Sequence, residues 1–310
     1  MIETIPPIPF PSTFEEIRIA SLKRPLVPFI GAGVSMLAGC PGWEVFGDRA
    51  LRFFLSKGKL SPAEYDQIKG LSSRIKLSLA LDLQKSSGLQ IDFRELLSPS
   101  AEKKAIGERV YGRLGTLSTT FVTTNYDDFL DGGRAVFHEP HRITIDNLRI
   151  PNAVFHIHGS MLDPENMVRT TDEYLRRYAS HELSRGSAGE NPFLTFLRKL
   201  FELRTVVFIG YSLSELEILE YVLQKSASVS STKEIEPRHF IMQGFFSHEL
   251  PLVRSLEGYF ARFGVTLIPF SRDERDWDQL ENVVDALASA LPSGTPLSLP
   301  KLREMEGLLE

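Results

Sequence analysis

The chain has 310 residues, 42% of them hydrophobic, enough for one large α/β domain with insertions or for two small domains. A net charge of −5 gives no general pull toward nucleic acid or an acidic membrane, and no apolar run is long enough to span a bilayer. Cys40, the only cysteine, excludes an intrachain disulfide and a zinc site built on cysteine pairs. The start lacks the basic stretch and apolar run of a secretion signal, so a soluble, cytoplasmic protein is the simplest expectation.

In chain order, residues 1–25 read as an N-terminal arm and first helix: residues 1–11 are proline-rich and lie over the surface, and Ser12 then opens the helix with Glu15 completing a capping box. Residues 26–30 form an apolar strand that runs into Gly31, Ala32, Gly33, Val34 and Ser35. From Trp43 to about Arg113 no strand is predicted. Ser61, Pro62 and Glu64 mark a helix start, and helical periodicity continues through Ile68, Leu71, Ile75, Leu77 and Leu81. This reads as a helical subdomain inserted at about 43–113.

Short, apolar strands follow at 119–123, 154–158, 205–209, 239–242 and 265–269, as expected of parallel strands buried on both faces. Residues 161–200 read as a second, lid-like insertion with a mobile loop at Ser184–Gly189. A helix capped by Ser214 and Glu217 follows Ser212. A last one starts near Asp276 and buries Trp277, Leu280, Val284 and Leu287. Residues 291–310 form a Pro/Ser/Gly-rich tail. The predicted fold is α/β: a doubly wound, Rossmann-like parallel sheet with an inserted helical subdomain, the main domain spanning 26–290.

In such a sheet ligands sit beyond the carboxyl ends of the strands. Gly31–Ser35, Asn125–Asp127, His158–Ser160 and Gly210–Ser212 all fall there and are expected to converge on one crevice. Gly31 and Gly33 let the backbone approach a ligand, with the N–H groups of Ala32 and Gly33 turned outward to an anion. Ser35 and Ser212 offer hydroxyls, or cap helices. Asn125 carries a donor and an acceptor that can orient a ribose hydroxyl or a water; Asp127 can accept from a hydroxyl or cap the turn before Phe129. His156 and His158 share a strand. His158, at the exit, is the acid/base candidate, with an ordinary pKa of about 6.5, and His156 reads as a hydrogen-bonded core residue. No further ligand set accompanies the pair, so no metal site is expected. Met36, Leu37, Phe53 and Phe54 read as core; Trp43 is either core or a wall of the pocket.

Together these segments resemble the sirtuin family, more closely its zinc-free bacterial branch, over about residues 26–290. Gly31-Ala32-Gly33-Val34-Ser35 is similar to the sirtuin phosphate loop, Asn125-Tyr126-Asp127 to the Asn-x-Asp motif, His158-Gly159 to the catalytic His-Gly, and Gly210-Tyr211-Ser212-Leu213 to the Gly-x-Ser-Leu nucleotide motif. Thr124 stands where the family has glutamine, and Gly39–Trp43 replaces the Asp-Phe-Arg segment of the deacylases. The resemblance implies an NAD glycohydrolase (an NADase) with NAD as substrate and no zinc, acting as a gated effector of antiphage defence. His158, Asn125 and Asp127 would be catalytic, and Gly31, Ala32, Gly33, Ser35, Thr124, Gly210 and Ser212 would hold NAD. It also implies a homo-oligomer, with a protein activator such as a ring-forming ATPase or an Argonaute-type protein. A non-catalytic NAD or ADP-ribose sensor is the alternative; a deacylase or ADP-ribosyltransferase is the remaining one.

Overall fold

The computed structural model describes residues 8, 14–178, 191–211 and 239–291. Its centre is a parallel sheet of seven strands: β1 (Leu26–Ile30), β2 (Thr120–Thr123), β3 (Ala135–Phe137), β4 (Ala153–His156), β5 (Thr205–Ile209), β6 (His239–Phe245) and β7 (Val265–Ser271). The order is β3-β4-β2-β1-β5-β6-β7, with every neighbouring pair parallel. From β1 the chain builds outward on one side through β2 and β4, then returns to β1's other edge with β5. That reversal leaves a crevice at the carboxyl ends of β1 and its neighbours, the place where doubly wound sheets take ligands. The expected Rossmann-like fold is therefore present.

Both faces of the sheet are covered, which is why its strands are continuous apolar runs. Val27 and Phe29 of β1 and Phe155 of β4 pack with Phe196, Leu200 and Phe201 of a helix at Pro192–Leu203 and with Val253 and Phe260 of another at Leu250–Ala261. The alternate residues, Ile30, Val154 and Val207, face helices at Glu15–Lys23, Lys104–Leu114 and Gln279–Ala290. A third cluster belongs to the helical insertion. Phe46, Leu51 and Phe54 of Trp43–Ser56 pack against Leu77 and Ala80 of Ser73–Ser87, with Phe93 and Leu97 of Phe93–Leu97. It meets the sheet's upper edge through Tyr126 and Met167. In chain order the helices are α1 (Glu15–Lys23), α2 (Ala32–Leu37), α3 (Trp43–Ser56), α4 (Pro62–Ile68), α5 (Ser73–Ser87), α6 (Phe93–Leu97), α7 (Lys104–Leu114), α8 (Thr171–Tyr178), α9 (Pro192–Leu203), α10 (Leu250–Ala261) and α11 (Gln279–Ala290).

Several expectations need correcting. Helix α1 starts at Glu15 with Phe14 in the N-cap position; Ser12 lies outside the described residues. Ile8, in the arm expected on the surface, is buried. The periodicity through Ile68–Leu81 is two helices. α4 begins with the predicted Ser61–Glu64 capping box and ends at Ile68, α5 restarts at Ser73, and the change of phase leaves Ile75 45% exposed. The 161–200 stretch includes the first part of α9, a core helix packed against the sheet. Met36 and Trp277 are about half exposed rather than buried. The turn at Asp276–Asp278 is a 3-10 segment that places Trp277 off the buried stripe of α11. Helix 212 onward, the loop at 184–189 and the tail at 292–310 lie outside the described residues.

Candidate functional site

Beyond the ends of β1 and β2 a cleft of about 470 Å³ opens between the sheet and the helical insertion. Ala32, Ser35, Thr124, Asn125, Tyr126 and Asp127 form its floor, and Cys40, Pro41, Trp43, Phe46 and Leu97 its walls. A cleft that is apolar on one side, with a few convergent polar groups on the other, is the usual form of a small-ligand site.

The floor is set by short-range packing of strand ends. Gly31 N–H donates to Ile209 O at 2.9 Å and Gly33 N–H to Gly210 O at 2.8 Å. The two loops are so close that a Cβ on Gly31 would stand 2.6 Å from Gly210 O. Gly210 itself adopts φ +70°, and a Cβ there would meet Val34 N at 2.7 Å. Glycine at these positions is therefore a requirement of backbone approach. The same contact corrects one expectation: the Gly33 N–H turns into the protein and is taken, so it does not offer itself to an anion. Ser35 lies inside α2 rather than capping it, the N-cap being Gly31.

Asn125 is locked on three sides. Its N–H donates to Thr123 Oγ1 and its amide Nδ2 to Gly31 O, both at 3.0 Å, and its carbonyl accepts from His156 Nδ1 at 3.0 Å. Asp127 is buried, accepts from Ser35 Oγ at 2.5 Å and sits 3.5 Å from Tyr111 Oη. Its other oxygen accepts from Phe129 N–H at 3.4 Å, the capping role foreseen for it. Burial raises the Asp127 carboxyl above the usual aspartate range; Ser35, the charge of His156 and the Phe129 and Tyr111 donors offset only part of that. Burial likewise pushes the Cys40 thiol up to about 12, helped by Asp127 and Asp128, so Cys40 is an inert wall.

The two histidines do not share the strand. β4 ends at His156, and His158 lies in the turn beyond it. His156 is fully buried, with Nε2 2.7 Å from Asp131 Oδ1. Burial disfavours its charged form. The hydrogen bond and charge of Asp131, the Asn125 carbonyl and Asp127 outweigh that, and its pKa is raised. His158 Nε2 is 2.8 Å from Tyr178 Oη, while its buried Nδ1 has no hydrogen-bond partner among the described residues. Tyr174 and Tyr178 lie edge-on to its ring. Desolvation, with the cations of Arg177 and Arg74 nearby, lowers its pKa to about 3. The expected base titrating near 6.5 is thus corrected to an imidazole that stays neutral through the physiological range.

Of the residues expected to converge, Ala32, Ser35, Thr124, Asn125 and Asp127 line the cleft, and Gly31, Gly33 and Gly210 build its floor. His158 is not among the lining residues, and Ser212 lies outside the described ones. The turn carrying His158 is joined to the cleft through Met161 N–H, which donates to Tyr126 O at 2.9 Å. Trp43 is a wall, its ring edge-on to Tyr126 at 5.8 Å. Tyr111, Asp131 and Tyr178 were missed. Tyr111 sits on the buried stripe of α7 and looks like core, and the other two act through partners far away in sequence. Among the described residues no group of three or more His, Cys, Asp or Glu side chains is placed to hold a metal, and no helix is long and apolar enough to cross a membrane.

A seven-stranded parallel sheet with a crevice at its reversal point defines a Rossmann-like α/β class of protein. Residues 119–268 match the model of the SIR2-like domain, a span that holds the Asn125–Asp127, His158–Gly159 and Gly210–Leu213 segments and bears out the sirtuin resemblance there. The chain is also 26% identical over 215 residues to Defense-associated sirtuin 2 of Bacillus subtilis, an alignment that covers 66% of this chain and 19% of that relative. It therefore spans about a fifth of the length of the curated relative it matches.

Proposed function

We propose that the protein hydrolyses the nicotinamide–ribose bond of NAD, giving nicotinamide and ADP-ribose. The observation that carries this reading is the meeting of Ser35, Asn125 and Asp127 in one cleft above the Gly31–Gly210 contact, within a chain that matches the SIR2-like domain over residues 119–268. NAD would lie with its pyrophosphate near Ala32 and the Ser35 hydroxyl, with Gly210 and Ser212 expected from the sirtuin resemblance to help hold the nucleotide. Asn125 would orient the nicotinamide ribose and the attacking water. Asp127 would accept from the carboxamide or a ribose hydroxyl. As the C–N bond breaks, its electron pair leaves with nicotinamide and the ribose gains oxocarbenium character, which the polar floor stabilises. Water then adds to that carbon and releases a proton. His158, neutral at working pH, would accept a hydrogen bond from the ribose hydroxyl or the water as charge develops.

A role in antiphage defence by NAD depletion, with the activity gated by self-assembly or a protein activator, belongs to the same proposal and rests on the likeness to a defence-associated relative. A cytoplasmic location is part of the reading. The test is nicotinamide release by the purified protein across a range of concentrations. Wild type is expected to release nicotinamide, and Asn125→Ala or His158→Ala to lose at least about 100-fold in rate. Equal rates in the variants would remove these residues from the mechanism. A second reading is favoured by His158 lying outside the cleft lining: a sensor that binds NAD or ADP-ribose without turnover. Tight NAD binding with no nicotinamide release at any concentration would support it.

A further inference from the structure

His156 is fully buried behind the floor of the cleft, and both of its ring nitrogens face acceptors: the peptide carbonyl of Asn125 at 3.0 Å and Asp131 Oδ1 at 2.7 Å. A neutral imidazole has one N–H. Two acceptors at hydrogen-bond distance call for two. We infer that His156 is a buried imidazolium, held between Asp131 and the Asn125 carbonyl, which positions Asn125 and supplies the counter-charge to Asp127.

The charged groups around it agree with this. Asp131 is its direct partner at 2.7 Å, and the charges of His156 and Asp127, which lies two residues beyond Asn125, favour each other. The Arg134 guanidinium feels Asp131 but is held by the Leu130 and Gly115 carbonyls, so it does not replace His156 as the partner of that carboxylate. His156 also ties β4 to the loop after β2. Through one ring it fixes the peptide of Asn125, which lines the cleft, while His156 is not itself a lining residue. It is thus a positioning residue, and a ligand would meet its charge only through Asn125 and Asp127. The inference rests on the proposed reading only in taking this cleft as the site.

The test is the charge state of His156 in the full-length protein, read from ring 15N shifts in a histidine-labelled sample at pH 7.5, where a free imidazole is mostly neutral. Both nitrogens are expected in the protonated range. One unprotonated nitrogen would overturn the inference. Asp131→Asn keeps both hydrogen bonds available, because its amide can donate to a neutral Nε2, but it removes the reason for the charge. In that variant His156 should be neutral at pH 7.5, and the Asp127 carboxyl, followed by 13C, should titrate at higher pH than in wild type. An unchanged Asp127 titration would overturn the counter-charge role. Where nicotinamide release is measurable, Asp131→Asn should shift its pH profile while His158→Ala abolishes it. Absence of release in wild type would count against the hydrolase alone, since the ring shifts are read without turnover.

Discussion

His156 and His158 are two residues apart and sit in opposite electrostatic settings. The first faces two acceptors and an acidic neighbourhood, and its basicity rises despite complete burial. The second faces a tyrosine hydroxyl and two arginines, and its pKa falls to about 3. The difference shows that burial alone does not set a histidine's charge. The groups aimed at the ring decide it, and one turn of backbone past a strand end is enough to change them.

The sharpest way to break the comparison is to remove one member. His156→Leu leaves the Asp131 carboxylate facing an apolar side chain, and a loss of about 3–5 kcal/mol in unfolding free energy is expected from denaturant titration. A much smaller loss would mean that Asp131 finds other solvation. The next effect separates the pair by sign. His158 titrates near 3 when folded and near about 6.5 when unfolded, so its contribution is present above about 6.5 and is lost as pH falls. Between pH 6.5 and 4 that loss should reach about 3 kcal/mol, and His158→Gln should flatten it. His156, with its folded pKa raised, contributes fully below its unfolded value and loses that contribution as pH rises through the folded one. Stability measured from pH 4 to 9 should therefore fall on both sides, with a different histidine responsible for each.

A third substitution moves one histidine and leaves the other. Gly159 follows His158 with φ +86°, and a Cβ there would stand 2.5 Å from Asn166 O. Gly159→Ala should cost about 2 kcal/mol or more and displace the His158 turn, with the ring shifts of His156 unchanged. The smallest effect is Tyr178→Phe, which removes the 2.8 Å contact to His158 Nε2. It should cost about 1 kcal/mol in thermal or denaturant unfolding.

The same contrast explains what the sequence made legible. Strands β1 and β5 were predicted with their observed ends because each is a five-residue apolar run closed by glycine. The Ser61–Glu64 box was readable because all its partners lie within one helical turn. Edge strand β3, with three residues and partial burial, carries too little pattern to be seen. Trp277 was misplaced because a 3-10 turn, with its own phase, precedes α11. In the site, the glycines and Asn125 announced themselves through residue type at a strand end. The pairing of Asp131 with His156 spans 25 positions and follows no period, so no local reading reaches it. The fall in His158's basicity depends on Arg74 from the helical insertion, which only the folded chain brings near.

The chain has two tryptophans, and the fold puts them to different uses. Trp43 walls the cleft beside Tyr126, whereas Trp277 lies half exposed under the Arg272 guanidinium, 3.8 Å from its ring centre, and is not part of the cleft lining. Replacing Trp277 with phenylalanine keeps an aromatic face for Arg272 and leaves one indole in the protein. Its emission would then report on the cleft alone, so that the arrival of a nucleotide can be followed by light, without label and without turnover.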